Sequence, residues 1–126
     1  MENNMKSRTL FDSFKYAAQG MKTAFTQERN FRIHCITAVI VVILGIFFRI
    51  SFVKWALVFV AFGFVFVSEL VNTAAETLVD MITKEYSINA KRVKDLAAAA
   101  VLVSAAAAAF IGVFVFIEPV LKLLGL

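Results

Sequence analysis

Glu69, Asn72, Glu76 and Asp80 recur at intervals of three and four residues within one stretch, Ser68 to Asp80. On a helix turning ~100° per residue they fall within roughly 80° of one face. Carboxylates and an amide with no cysteine or histidine among them are hard oxygen donors, the kind that magnesium selects. Lys91, Lys94 and Asp95 stand at the entrance to a later apolar run, and lysines beside an asparagine suit phosphate oxygens. Glu28 and Arg32, one helical turn apart, share a face just before the first apolar run. Such a set suits metal-assisted chemistry on a phosphorylated molecule.

The elements that carry these groups are set by a membrane. Of 126 residues 61% are hydrophobic, with mean hydropathy +0.84. Soluble domains lie nearer half apolar, and a chain this short has room for one domain. Apolar runs extend over 33–50, 52–70 and 96–117. At ~1.5 Å per residue, runs of about 18 to 22 residues match a hydrocarbon core ~30 Å thick. Backbone amides in lipid find no water, so the runs are helices. The few residues around Arg49, Ile50 and Ser51 imply a tight antiparallel hairpin between the first two. A polar loop over 82–93 joins the second and third. The expected fold is an all-α integral membrane domain with spans at about 31–50, 52–81 and 94–118. The second extends into the cytoplasm, and Pro119 is expected to end the third.

Ten of the 13 lysines and arginines lie before the first span or between the second and third. They are Lys6, Arg8, Lys15, Lys22, Arg29, Arg32, Lys84, Lys91, Arg92 and Lys94. Arg49, Lys54 and Lys122 remain for the other side. The positive-inside rule then puts the N-terminus and the 82–93 loop in the cytoplasm and the C-terminus outside. Leu10, Phe11, Phe14, Ala17, Ala18, Met21 and Phe25 recur at helical spacing, with Lys15, Gln19 and Lys22 on another face. An amphipathic helix over about 8–28 fits, either lying in the cytoplasmic interface or packed on the bundle. If Lys54 snorkels to the outer interface, Glu69 lies about 22 Å inward and Glu76 about 10 Å further, at headgroup depth. The stripe therefore runs from the acyl-chain boundary toward cytosol, where a lipid headgroup and a soluble molecule can meet.

Several function classes are disfavoured. One cysteine, Cys35, forms no intrachain disulfide and anchors no thiolate site. A single histidine, His34, argues against a zinc or haem centre. No secretory signal peptide is evident. Structural readings stand beside the functional one: Asn72 as an interhelical clasp, Asp80 as a helix-end group, and the basic residues as membrane anchors. Glu69 and Glu76 resist them, because intramembrane acids need a buried cation or a function. A small transporter would place acids near mid-bilayer within repeats, and the acids here cluster at one interface without a repeat. A structural membrane subunit would not need Lys94 and Asp95 beside them. Runs of alanine over 97–100 and 105–109 allow close helix approach, and three spans bury little surface alone, so oligomerisation is expected.

Together these residues resemble the prokaryotic diacylglycerol kinases. The matching pieces are Glu28-Arg-Asn-Phe-Arg32, the segment Glu69 to Glu76 with Val79-Asp80, Glu85-Tyr86, and Ala90 to Asp95. Glu28 to His34 looks like the Gram-positive branch, whose members prefer undecaprenol over diacylglycerol. The resemblance implies a homotrimer in the bacterial cytoplasmic membrane, with active sites shared between protomers, and phosphoryl transfer from ATP with magnesium. It implies that Glu28 and Glu76 hold the metal, and that Glu69 is the base on the lipid hydroxyl, with Asn72 and Asp95 also catalytic. It implies nucleotide contacts from Glu28, Glu76, Asp80, Glu85, Tyr86, Ser87, Lys94 and Asp95. Phe31, Arg32, Glu69 and Ala98 would meet the lipid. The substrates are then undecaprenol or diacylglycerol, with no nucleic acid. Gram-negative members often carry His where Ser87 stands, and Gly-Ser where Thr83-Lys84 stands. No Gly-x-Gly and no Gly-Lys-Ser/Thr occurs, so nucleotide must be held by side chains and metal, not by a backbone cradle.

Overall fold

A computed structural model describes residues 9–126; Lys6 and Arg8, counted above with the cytoplasmic basic residues, lie outside them, as does the first residue of the helix expected from about 8. Four helices follow in order: α1 (Leu10–Gln27), α2 (Arg29–Phe47), α3 (Phe52–Ile82) and α4 (Ile88–Leu123). The last three are long and apolar enough to cross a membrane.

Local chemistry sets each boundary. Thr9 and Asp12 form a capping box at the start of α1, each side chain accepting from the other's backbone N–H at 3.2 Å. Glu28 then takes an extended conformation and breaks the chain between α1 and α2. The last carbonyls of a helix lack intrahelical donors. Arg32 supplies one here: its Nη1 donates to the carbonyl oxygens of Phe25 and Thr26, each at 3.0 Å. The elbow is thus clamped from the first turn of α2.

The hairpin between α2 and α3 is a Schellman turn. Ile50 N–H donates to Gly45 O, Arg49 N–H donates to Ile46 O, and Arg49 sits at φ 50. Ser51 caps α3 by accepting from the Lys54 N–H. At Gly45 the Trp55 ring lies so close that a Cβ would come within 2.6 Å of it. The absence of a side chain there lets the two helices start in contact. Ile50, Val58 and Val115 form the buried cluster beside this turn.

Two expected boundaries are corrected. The loop over 82–93 shrinks to Thr83–Ser87, because α4 starts at Ile88, where the Ser87 hydroxyl accepts from the Ala90 N–H. The polar run 89–95 signalled water, which a helix tolerates as readily as a loop does. Pro119 does not end α4, which continues to Leu123. One missing N–H is absorbed, as in many membrane helices. The helix stops instead at a second Schellman turn with Gly125 at φ 74, Leu126 N–H donating to Leu121 O.

The 31 residues of α3 and 36 of α4 rise about 46 and 54 Å at ~1.5 Å each. Both exceed a hydrocarbon core of ~30 Å. At one end Glu118 bridges Lys54 (3.5 Å) and Lys122 (2.7 Å). At the other, α3 and α4 project beyond the apolar zone, carrying Glu76, Asp80 and Lys94. Most large apolar side chains of α2 and α4 face outward.

Candidate active site

The buried face of α3 runs Val58, Ala61, Val65, Glu69. The spacings of three and four mark one helical stripe, and its fourth member is a carboxylate only 3% exposed. Its partner comes from α2: His34 Nε2 lies 3.1 Å from Glu69 Oε1. Phe31, buried one turn earlier on α2, packs on Phe66 of α3 with ring centroids 5.3 Å apart. That aromatic contact fixes α2 against α3 beside the Glu69 carboxylate.

One turn beyond Glu69, the Asn72 Oδ1 is buried with no hydrogen-bond partner among the described residues. A buried acceptor left unpaired is destabilising by about 1–3 kcal/mol, so something outside this chain is needed to satisfy it. Glu76 follows, half-buried and in no hydrogen bond or ion pair among the described residues. Lys94 of α4 donates to Asp80 Oδ1 at 2.7 Å. Lys94 lies before the apolar part of α4. The charges of Asp80 and Glu76 both act on its ammonium group. Asp95 is paired with Lys91 one turn back. Asp80, Lys94 and Asp95 are thus gathered where α3 and α4 leave the apolar zone, with Glu76 close enough to act on Lys94.

The remaining expected residues are placed less closely. Glu28 sits at the elbow, half-buried, its carboxylate capping nothing. The Ser87 hydroxyl serves as the α4 cap, while Glu85 and Tyr86 stand exposed on the connection. Ala98 is exposed one turn after Lys94. The Arg32 guanidinium is committed to α1 carbonyls and Phe31 to Phe66, so the contacts of both are within the fold.

Between α2, α3 and α4 lies an apolar cavity of about 350 Å³, reaching from Ile33 to Val41, Val58 to Phe66 and Ala105 to Gly112. His34 and Thr37 are its only polar lining residues, and His34 touches Glu69. The apolar cavity and the buried carboxylate therefore share one neighbour.

Among the described residues no three His, Cys, Asp or Glu side chains gather into a protein-only metal cage. Magnesium does not require one, since it is commonly held by one or two carboxylates together with phosphate oxygens and water. The uncommitted carboxylates of Glu28 and Glu76 and the orphaned Asn72 oxygen fit that donor chemistry.

A family model for prokaryotic diacylglycerol kinase matches residues 15–116. The chain belongs to the prokaryotic diacylglycerol kinase family. It is 39% identical over 107 residues to an undecaprenol kinase of Bacillus subtilis, covering 85% of this chain and 87% of that protein. It is 38% identical over 116 residues to a diacylglycerol kinase of Synechocystis, covering 91% of this chain and 66% of the other. A diacylglycerol kinase of Escherichia coli is 28% identical over 105 residues, 82% of this chain and 86% of that one. The family and these relatives are lipid kinases, and the chain is an enzyme of that class. A kinase of this family takes a nucleotide as co-substrate, and the helices suit a membrane enzyme.

Sequence reasoning used His34 to argue against a metal centre and as the end of the Gram-positive-like segment, and gave it no place in the site. A signal for its place existed. His34 lies 13 residues before the end of α2 and Glu69 17 residues after the start of α3, so an antiparallel pair sets them within about one turn of each other in depth. A carboxylate at that depth requires a donor.

Proposed function

We propose that the chain is an ATP- and magnesium-dependent undecaprenol kinase working at the cytoplasmic face of a bacterial membrane. The observation that carries the reading is Glu69: a buried carboxylate whose one partner is a histidine lining an apolar cavity. A long-chain alcohol in the bilayer reaches such a group from the hydrocarbon side. Glu69 accepts the proton of its hydroxyl as the oxygen attacks the γ-phosphorus.

Nucleotide approaches from the projecting ends of α3 and α4. Lys94 has three donor hydrogens; one serves Asp80 and the others are free for phosphate oxygens. Asp95, Asp80, Glu85, Tyr86 and Ser87 border the same end and position the nucleotide. Glu28 and Glu76 would hold magnesium, which supplies positive charge over the transferred phosphoryl group. Asn72 lies between base and metal carboxylates and turns its orphaned oxygen to the reacting groups. Arg32 and Phe31 hold the elbow and the α2–α3 contact beside the lipid, and Ala98 leaves room for it.

The outward apolar faces of α2 and α4 support a homotrimer with shared sites, in which neighbouring protomers cover what lipid does not. Basic residues near α1, α2 and the start of α4 support a cytoplasmic N-terminus. The exposed Leu10, Phe11, Phe14 and Phe25 of α1 support an interfacial amphipathic helix. Helices α2, α3 and α4 overlap spans at about 31–50, 52–81 and 94–118, α4 starting before and ending after the third, as one membrane domain.

Diacylglycerol is the second acceptor, favoured by the Synechocystis relative at nearly the same identity; phosphatidic acid would then be the product, in phospholipid metabolism. The test is transfer of labelled γ-phosphate from ATP in detergent, with undecaprenol and diacylglycerol offered in parallel. Faster phosphorylation of undecaprenol is expected. A preference for diacylglycerol reassigns the acceptor, and phosphorylation of neither removes the kinase mechanism.

A further inference from the structure

The hydrogen bond between His34 and Glu69 joins residues 35 positions apart on two helices, at the polar end of the apolar cavity. A carboxylate can only accept hydrogen bonds. Whenever Glu69 is ready to take a proton, the His34 Nε2–H is therefore the donor. The contact occupies Oε1 and leaves Oε2 with no hydrogen bond among the described residues. A glutamate's terminal torsion is broad and two-fold, so an unanchored carboxylate presents either oxygen at a range of angles. Anchoring one oxygen removes that freedom. The imidazole side chain is 24% exposed and lines the apolar cavity.

We propose that His34 is a positioning residue for phosphoryl transfer, holding Oε1 of Glu69 so that Oε2 meets the acceptor hydroxyl. In the step it serves, Oε2 takes the hydroxyl proton as the acceptor oxygen bonds to the γ-phosphorus. The bond from that phosphorus to the bridging oxygen breaks, and ADP leaves. His34 touches neither nucleotide nor the reacting atoms and acts through Glu69. The proposal rests on Glu69 being the base.

The experiment compares His34→Ala, His34→Gln and Glu69→Gln with the parent in the labelled-phosphate assay, varying ATP and undecaprenol separately. A glutamine amide nitrogen occupies nearly the place of the imidazole Nε2 and donates as it does. His34→Ala is expected to lower kcat by about 10- to 100-fold, the usual penalty for a misplaced reacting group, with the KM for ATP within a factor of two. His34→Gln is expected to recover most of that loss, which a role in packing alone would not produce. Unchanged kcat in His34→Ala overturns the proposal, as does His34→Gln being as slow as His34→Ala. A KM for ATP raised in step with the loss of kcat overturns it too. Glu69→Gln separates this from the underlying reading: full turnover there removes the base itself, whatever the His34 variants do.

Discussion

Replacing Asn72 with leucine should move stability and activity in opposite directions. The Oδ1 of Asn72 is buried and unpaired among the described residues, and the residue makes no hydrogen bond through its amide nitrogen either. Leaving such an acceptor unmet is destabilising by about 1–3 kcal/mol. Leucine has nearly the same branching and size, removes the polar atom and adds apolar contact. Because Asn72 is only half-buried, the lower part of the range applies, and Asn72→Leu should stabilise the folded chain by about 1–2 kcal/mol. Activity should fall. An amide oxygen that supports a metal site is worth about 10- to 100-fold in activity when it is removed.

The two quantities are read from one preparation. Equilibrium unfolding in mixed detergent micelles gives stability, and labelled-phosphate transfer gives turnover. A misfolded variant loses both, so a gain in stability with loss of turnover is a signature that damage does not imitate. The reasoning is refuted if Asn72→Leu is destabilised by more than about 1 kcal/mol, the net worth of a typical intramolecular hydrogen bond. The amide oxygen would then already have a donor from a neighbouring protomer, and Asn72 would be a clasp between helices.

Three further outcomes are expected. Glu76→Gln should abolish turnover while the chain stays folded, since its carboxylate makes no hydrogen bond or ion pair among the described residues; activity titrated against magnesium separates a lost metal ligand, which shifts the magnesium requirement, from a lost base. Gly45→Ala should destabilise the chain by about 1–3 kcal/mol, the range for overpacking, since its Cβ would meet the Trp55 ring at 2.6 and 2.9 Å; unfolding in detergent measures it, and an unchanged midpoint would mean that the ring slips aside. Arg49→Gly should be neutral or stabilising by up to about 1 kcal/mol, because a left-handed φ of 50 is strained for arginine and natural to glycine; a loss of stability in the same measurement would show that the arginine side chain holds the turn.

The three spans and the tight hairpin were legible because a bilayer forces period, length and hydrogen bonding together. The acidic stripe was legible because charge in an apolar run stands out. What the sequence hid were matters of pairing. Arg32 read as a lipid-facing cation, yet its guanidinium closes the end of α1, a role visible only once the chain bends at Glu28. His34 read as an isolated residue until α2 and α3 were placed side by side. The start of α4 was misjudged because polarity reports solvent, and helix α4 starts in the polar zone before its apolar part begins. Pro119 misled for a related reason: its missing N–H matters less in a helix whose neighbours keep their own bonds.

A kinase without a glycine-rich loop must position phosphate by other means. Backbone cradles work because several N–H groups converge at a helix start. In this chain every N-cap described is already taken by a side chain or by the helix break, as Thr9, Ser51 and Ser87 show. The burden falls on side chains that leave the hydrocarbon zone along two long helices. Rigid helices hold such groups in fixed register: Glu69, Asn72 and Glu76 rise about 10 Å in two turns. That rise is of the order of the passage from acyl chains to water, so on the proposed mechanism one face of α3 would address an alcohol at one end and a nucleotide at the other. Shortening the face by a turn would bring Glu76, the proposed metal ligand, toward lipid, and lengthening it would part Glu69, the proposed base, from the phosphate. The spacing of seven residues between Glu69 and Glu76 is therefore a requirement of the interface as much as of the reaction.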